Sequence, residues 1–355
     1  LLGSGLTSFA IGVWIFQQTG QATPFALTVL MGNLPQLLLL PLGGSLADRW
    51  NRKALMMLSD TGSALTTLAL FILLLVGELQ TWHIYILVAL GSVFAAFQEP
   101  AYTASVSLIV PKKELTRANG IAQTAQALQS IISPLLAGAL FVIIGMRGII
   151  MIDFITYFFA IGTMLLVRIP QPELAEHEKQ QKGKMWQDMA FGWTYLRERG
   201  GLFALVWYFA LVNFTLNFAA VLTGPLVLSR HPASAFGLVQ TMFGAGLLVG
   251  GLLISSWGGP KTRRIPFLIL CITLSMVGFI VVGLNANLFF PALGFFLALL
   301  CVPIGSAMSQ AVFQAKVAPA AQGRVFAMRS LIARSMMPIA FLLSGFLADR
   351  VFEQI

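Results

Sequence analysis

Residues 41–53 read PLGGSLADRWNRK. They close an apolar run that extends from Phe25 to Leu40, and they place Asp48, Arg49, Arg52 and Lys53 within six positions. An apolar helix that ends abruptly in a charged turn has the pattern of a membrane span reaching the aqueous edge of a bilayer. The rest of the chain has the same character. Of its 355 residues 57% are hydrophobic and only 10% are charged, and its mean hydropathy is +0.85. Soluble domains carry roughly 25% charged residues, so a water-soluble globule is excluded and a polytopic all-α membrane protein is expected.

Clusters of Gly, Pro and charge divide the sequence into eleven expected spans: 1–17, 24–46, 54–77, 83–109, 118–144, 149–168, 201–228, 236–257, 266–284, 287–315 and 325–347. The connections are short except for residues 169–200, which are polar. Within that linker, Trp186, Met189, Ala190, Trp193 and Leu196 recur at helical spacing, as in an amphipathic helix lying at the membrane interface. If the 47–53 loop is cytoplasmic, alternation of sides gives the cytoplasmic loops 17 of the 22 Lys and Arg. The opposite side receives Arg147, Arg230 and Arg350, while Arg329 and Arg334 fall inside the last span. This asymmetry orients the chain in the cell (inner) membrane, multi-pass, with the 47–53 loop and the 169–200 linker cytoplasmic. It also explains the net charge of +9 through attraction to an anionic inner leaflet, with no nucleic-acid partner. Cys271 and Cys301 lie in apolar runs without CxxC pairing, and His83, His177 and His231 have no metal-ligand spacing. No cofactor and no metal are expected.

The linker separates six spans from five, and parts of the two sets match. GGSLADRWNRK (43–53) corresponds to GGLLISSWGGPKTRR (250–264), and VPKKELTRANG (110–120) to APAAQGRVFA (318–327). Two six-helix halves are a known transporter plan. The domains expected are therefore a six-helix bundle over 1–168, the linker 169–200, and a second bundle over 201–355. On that plan a twelfth span would follow Ile355, and since the sequence begins without Met inside an apolar run, a longer chain is expected.

The opening stretch resembles the loop 2–3 signature of the major facilitator superfamily, with Gly44, Ala47, Asp48, Arg49, Arg52 and Lys53 in its positions. LTRANGIAQT (115–124), GWTYLRERGGLFAL (192–205) and GRVFAMRS (323–330) further resemble its third drug–proton antiporter branch, which includes macrolide-efflux and enterobactin-exporter permeases. The resemblance implies a major facilitator fold of two pseudo-symmetric halves, here with 11 of 12 transmembrane helices. It also implies that Gly44, Asp48, Arg49, Arg52 and Lys53 form a gate, in which the Asp48 carboxylate faces the positive end of span 11 near Gly323–Val325. A carboxylate at a helix N-terminus gains about 0.3–1 kcal/mol. The plainer alternative is a basic topology anchor that happens to contain an acid. The counterpart after Gly251 has no Asp before Lys261, so a lock there would be asymmetric.

Ionisable residues inside spans are costly and usually functional. Glu99 lies in span 4 about 14 Å below the cytoplasmic end, followed by Pro100, which removes a helix hydrogen bond. In the family, helices 1, 4, 7 and 10 line the cavity, so Glu99 is the candidate for proton coupling or substrate binding. The alternative is a structural carboxyl bonded to Gln98 or a neighbouring helix. Arg334 lies about 15 Å into span 11 and is expected to meet Glu99, a backbone carbonyl or an anionic part of the substrate. Arg329, being shallower, is expected to snorkel to the cytoplasmic surface. Asp60 and Asp153 are expected as supporting charges, Asp60 in a network with Arg52 and Asp153 paired with Arg147. In span 5, Asn119, Gln123, Gln126, Ser130 and Ser133 share one helical face, which either lines water or bonds a neighbour. With Asn213, Asn217, Gln310 and Tyr102, Gln123 and Gln126 are possible cavity-lining residues. Ser133–Gly138 (SPLLAG) resembles, incompletely, the Gly-Pro signature of antiporter helix 5, with Ser133 and Ala137 replacing glycines.

The functional expectation is a secondary active transporter that exports amphipathic or hydrophobic small molecules by alternating access, as a proton antiporter. Its partners would be a small-molecule substrate, protons and the lipid bilayer, and it would act as a monomer. A dedicated siderophore or lipid exporter of the same fold, without proton coupling, is the near alternative. A non-transporting membrane receptor is the alternative from another class. No Ser-His-Asp, paired-His or HExxH constellation supports a membrane enzyme.

Overall fold

The computed structural model describes residues 2–111, 115–167, 185–260, 264–284, 287–318 and 321–352. In chain order it contains α1 (Leu2–Thr19), α2 (Ala22–Arg49), α3 (Arg52–Val76), α4 (Thr81–Ile109), α5 (Leu115–Leu166), α6 (Met185–Arg197), α7 (Gly200–Leu228), α8 (Ala233–Trp257), α9 (Arg264–Leu284), α10 (Phe289–Lys316) and α11 (Gln322–Leu347). A π-helical turn, Ala348–Phe352, ends α11.

Each expected span is helical, and α5 contains two of them. Its apolar stretch Ala125–Leu166 is 42 residues long, about twice what a bilayer core needs. The backbone breaks at Gly145 (φ 65°, ψ −174°), a conformation that glycine reaches without a Cβ clash. Residues 115–144 and 146–166 are thus separate arms. Among the described residues, nine helices are long and apolar enough to cross a membrane. The number falls short of eleven because α5 counts once and α1 is diluted by Gly, Ser, Thr and Gln.

Local chemistry sets the helix ends. The Asn51 side chain accepts from the Ala54 N–H at 3.0 Å, and so caps α3. At α4, the Gln80 N–H donates to His83 Nδ1 at 3.1 Å, one half of a reciprocal capping box.

The chain forms two compact units: residues 1–174 with 224–241 and 345–355, and residues 175–223 with 242–344. Helices α7, α8 and α11 therefore contribute one end each to the first unit. In the first unit α2 packs on α4, α3 on α4 and α1 on α5. Phe9 stacks on Phe236 at 5.0 Å, and Phe25 meets Phe236 edge-on at 6.3 Å. In the second unit α9 packs on α10, and Leu196, Val206, Phe313, Val325 and Met328 form a buried core.

Helix α6 docks one face against protein, while Phe191 and Trp193 stay exposed. Leu196 is fully buried, and the Ala318 N–H donates to the Tyr195 hydroxyl at 3.2 Å. The Arg324 guanidinium covers Phe191 at 4.0 Å. A Cβ at Gly192 would lie 2.7 Å from the Arg324 carbonyl oxygen, so only glycine permits this approach. The amphipathic pattern was legible, but the apolar partner it required was α10–α11.

Candidate functional site

The charged turn is built by two helices that almost abut. Helix α2 runs to Arg49, the Trp50 N–H donates to the Leu46 carbonyl at 2.9 Å, and Asn51 opens α3. The Lys53 ammonium donates to the carbonyls of Leu165 (3.0 Å) and Val167 (2.8 Å). It thus supplies positive charge to the negative end of the second arm of α5. The side chains of Gly44, Asp48 and Arg49 and of Gly323 lie outside the described residues.

Glu99 stands on α4, which continues unbroken through Pro100. Its side chain is exposed at the protein surface, not buried as its depth in the span suggested. Its carbonyl accepts from the Thr103 hydroxyl at 3.0 Å. The alternative of a structural bond from Gln98 is not the one formed: the Gln98 amide donates to Asp60. That bond ties α4 to α3 and gives Asp60 a neutral partner on its neighbour. Asp153 likewise accepts from the Thr7 hydroxyl at 2.9 Å, joining α5 to α1. Its expected partner, Arg147, instead donates to the Leu74 carbonyl at 3.4 Å. In low dielectric a neutral hydroxyl or amide satisfies a carboxyl without burying a second charge, and that option is invisible to charge counting.

In the second unit, Arg329 corrects another expectation. It does not snorkel: it is half-buried, donates to Gln310 at 2.8 Å, and lies over Phe313 (4.6 Å) and Phe209 (5.8 Å). Two ring faces stabilise the half-buried cation. Gln310 and Phe313 lie one turn apart on α10, a spacing that could have shown this seat in the sequence. Arg334 is exposed on α11; it belongs to the second unit and Glu99 to the first. The Asn213 amide donates to the Phe209 carbonyl (2.8 Å) and the Asn217 amide to the Asn213 carbonyl (2.7 Å), so both turn donors onto their own helix.

The polar face of α5 divides. Gln126 is exposed, Gln123 lies outside the described side chains, and Ser133 is buried, facing Gly5 of α1. Beyond it, the Pro134 carbonyl meets Gly237, and a Cβ at Gly138 would lie 2.9 Å from the Ala233 carbonyl oxygen. The SPLLAG stretch is therefore a close seam between α5 and the start of α8, sealed by the Thr241 hydroxyl on the Ile131 carbonyl at 3.3 Å. Tyr102 is exposed on α4.

Long apolar helices carrying charges seated on neutral partners and aromatic rings define a polytopic membrane protein, and its family makes it a transporter rather than an enzyme. The chain belongs to the Major Facilitator Superfamily, whose model matches residues 1–342. It is 31% identical to macrolide efflux protein A of Streptococcus pyogenes over 366 aligned positions, covering 99% of this chain and 87% of that one. Macrolide efflux protein A of Enterococcus faecalis is also 31% identical, over 87% of this chain and 96% of its own. A solved bacterial homolog of the human lysosomal transporter Spinster, in an inward-facing and unoccupied conformation, superposes with a TM-score of 0.66 at 16% identity. The overlap covers 99% of this chain and 84% of that one, and the shared feature is the fold.

Proposed function

We propose that this protein exports amphipathic or hydrophobic small molecules across the cytoplasmic membrane by alternating access, in exchange for protons. The observation that carries this reading is the similarity to macrolide efflux protein A over 99% of this chain. Two pseudo-symmetric bundles, residues 1–168 and 201–355, rock about the substrate, with the 169–200 linker and the 47–53 loop on the cytoplasmic side. Gly44, Asp48, Arg49, Arg52 and Lys53 form the cytoplasmic gate, with Asp48 aimed at the start of α11. Glu99 takes up and releases the proton, and Arg334 provides the counter-charge. Exposure of both side chains on their helices supports access by solute rather than burial in a structural pair.

The test is macrolide efflux in everted membrane vesicles carrying the full-length protein, driven by an imposed proton gradient. Wild type should lose efflux when the gradient is collapsed. Glu99→Gln should lose gradient dependence, with transport reduced by about 10²-fold, the lower end for loss of a positioned proton-transfer group. Unchanged gradient dependence in Glu99→Gln would remove Glu99 from the coupling role. Wild-type efflux that persists without a gradient would favour the proton-independent siderophore or lipid exporter.

A further inference from the structure

The end of α11 repeats the end of α2. Gly44-Ser45-Leu46-Ala47-Asp48-Arg49 closes α2, and Gly345-Phe346-Leu347-Ala348-Asp349-Arg350 closes α11. The two stretches share Gly, Leu, Ala, Asp and Arg in identical spacing and run to opposite sides of the membrane, since α2 and α11 traverse it in opposite directions under the loop-charge orientation.

For the second copy the geometry is visible. The Asp349 carboxylate accepts from the backbone N–H groups of Ala22 and Thr23, each at 2.7 Å. These are the first two residues of α2, whose cap residue Gln21 makes no side-chain cap bond. Asp349 thus satisfies, from a helix more than 300 positions away, the donors a local N-cap would take. Gly345 lies one turn earlier on the same face. A Cβ there would fall 2.8 Å from the Thr23 Cα and 2.9 Å from the Ala26 Cβ, so glycine is what lets the helix ends close. The spacing of the motif now has a physical meaning: a glycine provides contact, and an acid one turn on caps the neighbour. The π-helical turn at Ala348–Phe352 ends α11 where Asp349 is held, a distortion common at functional sites. The same region holds Phe25, packed against Gly224 of α7 and Phe236 of α8.

We infer that Gly345 and Asp349 form a latch on the side opposite the 47–53 loop, holding that side shut by capping α2, and that it must release for the transporter to open outward. The assignment rests on the alternating-access reading above. In that cycle the latch is the counterpart of the Gly44–Asp48 gate: α2 and α11 each carry a Gly and, one turn on, an Asp at the C-terminal end.

The test uses full-length protein in lipid nanodiscs, with Cys271 and Cys301 replaced by alanine and spin labels at Gln18 and Phe289. Pulsed dipolar spectroscopy reads the distance across the side opposite the 47–53 loop. Asp349→Asn, which keeps size and removes charge, should raise the ratio of long to short distances by about tenfold, the scale of one charge-assisted hydrogen bond. Gly345→Val should move it the same way, and Asp349→Glu should return most of the short-distance population. Wild-type-like distributions in both Asp349→Asn and Gly345→Val would overturn the latch, as would a failure of Asp349→Glu to restore closure. Asp48→Asn and added erythromycin serve as the reference. Movement of the wild-type distances by either, with no response at Asp349, defeats the latch alone. Distances that no variant or ligand moves defeat alternating access itself.

Discussion

Asp153 shows how this chain keeps charge inside an apolar bundle. Its carboxylate is held by the Thr7 hydroxyl from α1, and Thr7 is itself buried. Removing the donor leaves an under-bonded acid in low dielectric, which costs about 1–3 kcal/mol. Thr7→Val, which preserves shape, should therefore lower the thermal unfolding midpoint of the detergent-solubilised protein; an unaltered midpoint would mean that water replaces the hydroxyl. Asp60 with Gln98 and Arg329 with Gln310 and two phenylalanines follow the same rule. Neither carboxylate pairing was legible in the sequence, and the Arg329 seat left only the one-turn spacing of Gln310 and Phe313 as a trace. Charge counting looks for opposite charges, whereas neutral amides, hydroxyls and rings are the cheaper partners away from water. The positions of the charges within spans were legible, because an acid or base interrupts an apolar run conspicuously.

Among the elements, α6 shows best how a pattern leaves its partner open. Its apolar face is set by 3.6-residue periodicity, but an apolar face is equally satisfied by lipid or by protein. Gly192 lets one side of α6 approach α11, with Leu196 buried beneath it. Gly192→Val would force a clash with the Arg324 carbonyl and Met328, at about 1–3 kcal/mol. Trypsin cleavage after Arg197 should then accelerate relative to wild type in detergent micelles, and an unchanged cleavage rate would show that α6 docks without this contact. The fused α5 teaches the complementary point. Its two arms were separable in sequence by the Gly145-Met146-Arg147-Gly148 interruption, and the left-handed backbone at Gly145 is the physical form of that break.

For the molecule as a whole, the proposed cycle places one carboxylate latch at each membrane face. Asp48→Asn should weaken the cytoplasmic gate and shift the resting population toward inward-open. Single cysteines placed near the start of α11 would then react faster with a membrane-impermeant maleimide applied from the cytoplasmic side. Unchanged reactivity would reduce the 47–53 loop to a topology anchor. The paired experiment at Asp349 should act in the opposite sense, because the two latches favour opposite states. A double variant should therefore lie nearer the wild-type balance than either single change.

Class and span positions were settled by sequence alone, because transfer of some twenty apolar residues into lipid is a local, additive quantity. Membership of a transporter superfamily was also legible, carried by the Gly44–Lys53 signature. Contacts between distant helix ends were left to the tertiary structure. The Gly345–Asp349 motif stands in the chain as plainly as its twin at Gly44–Asp48. Yet only folding brings it against Ala22 and Thr23, since an unpaired helix N-terminus is satisfied by whichever acceptor the packing delivers.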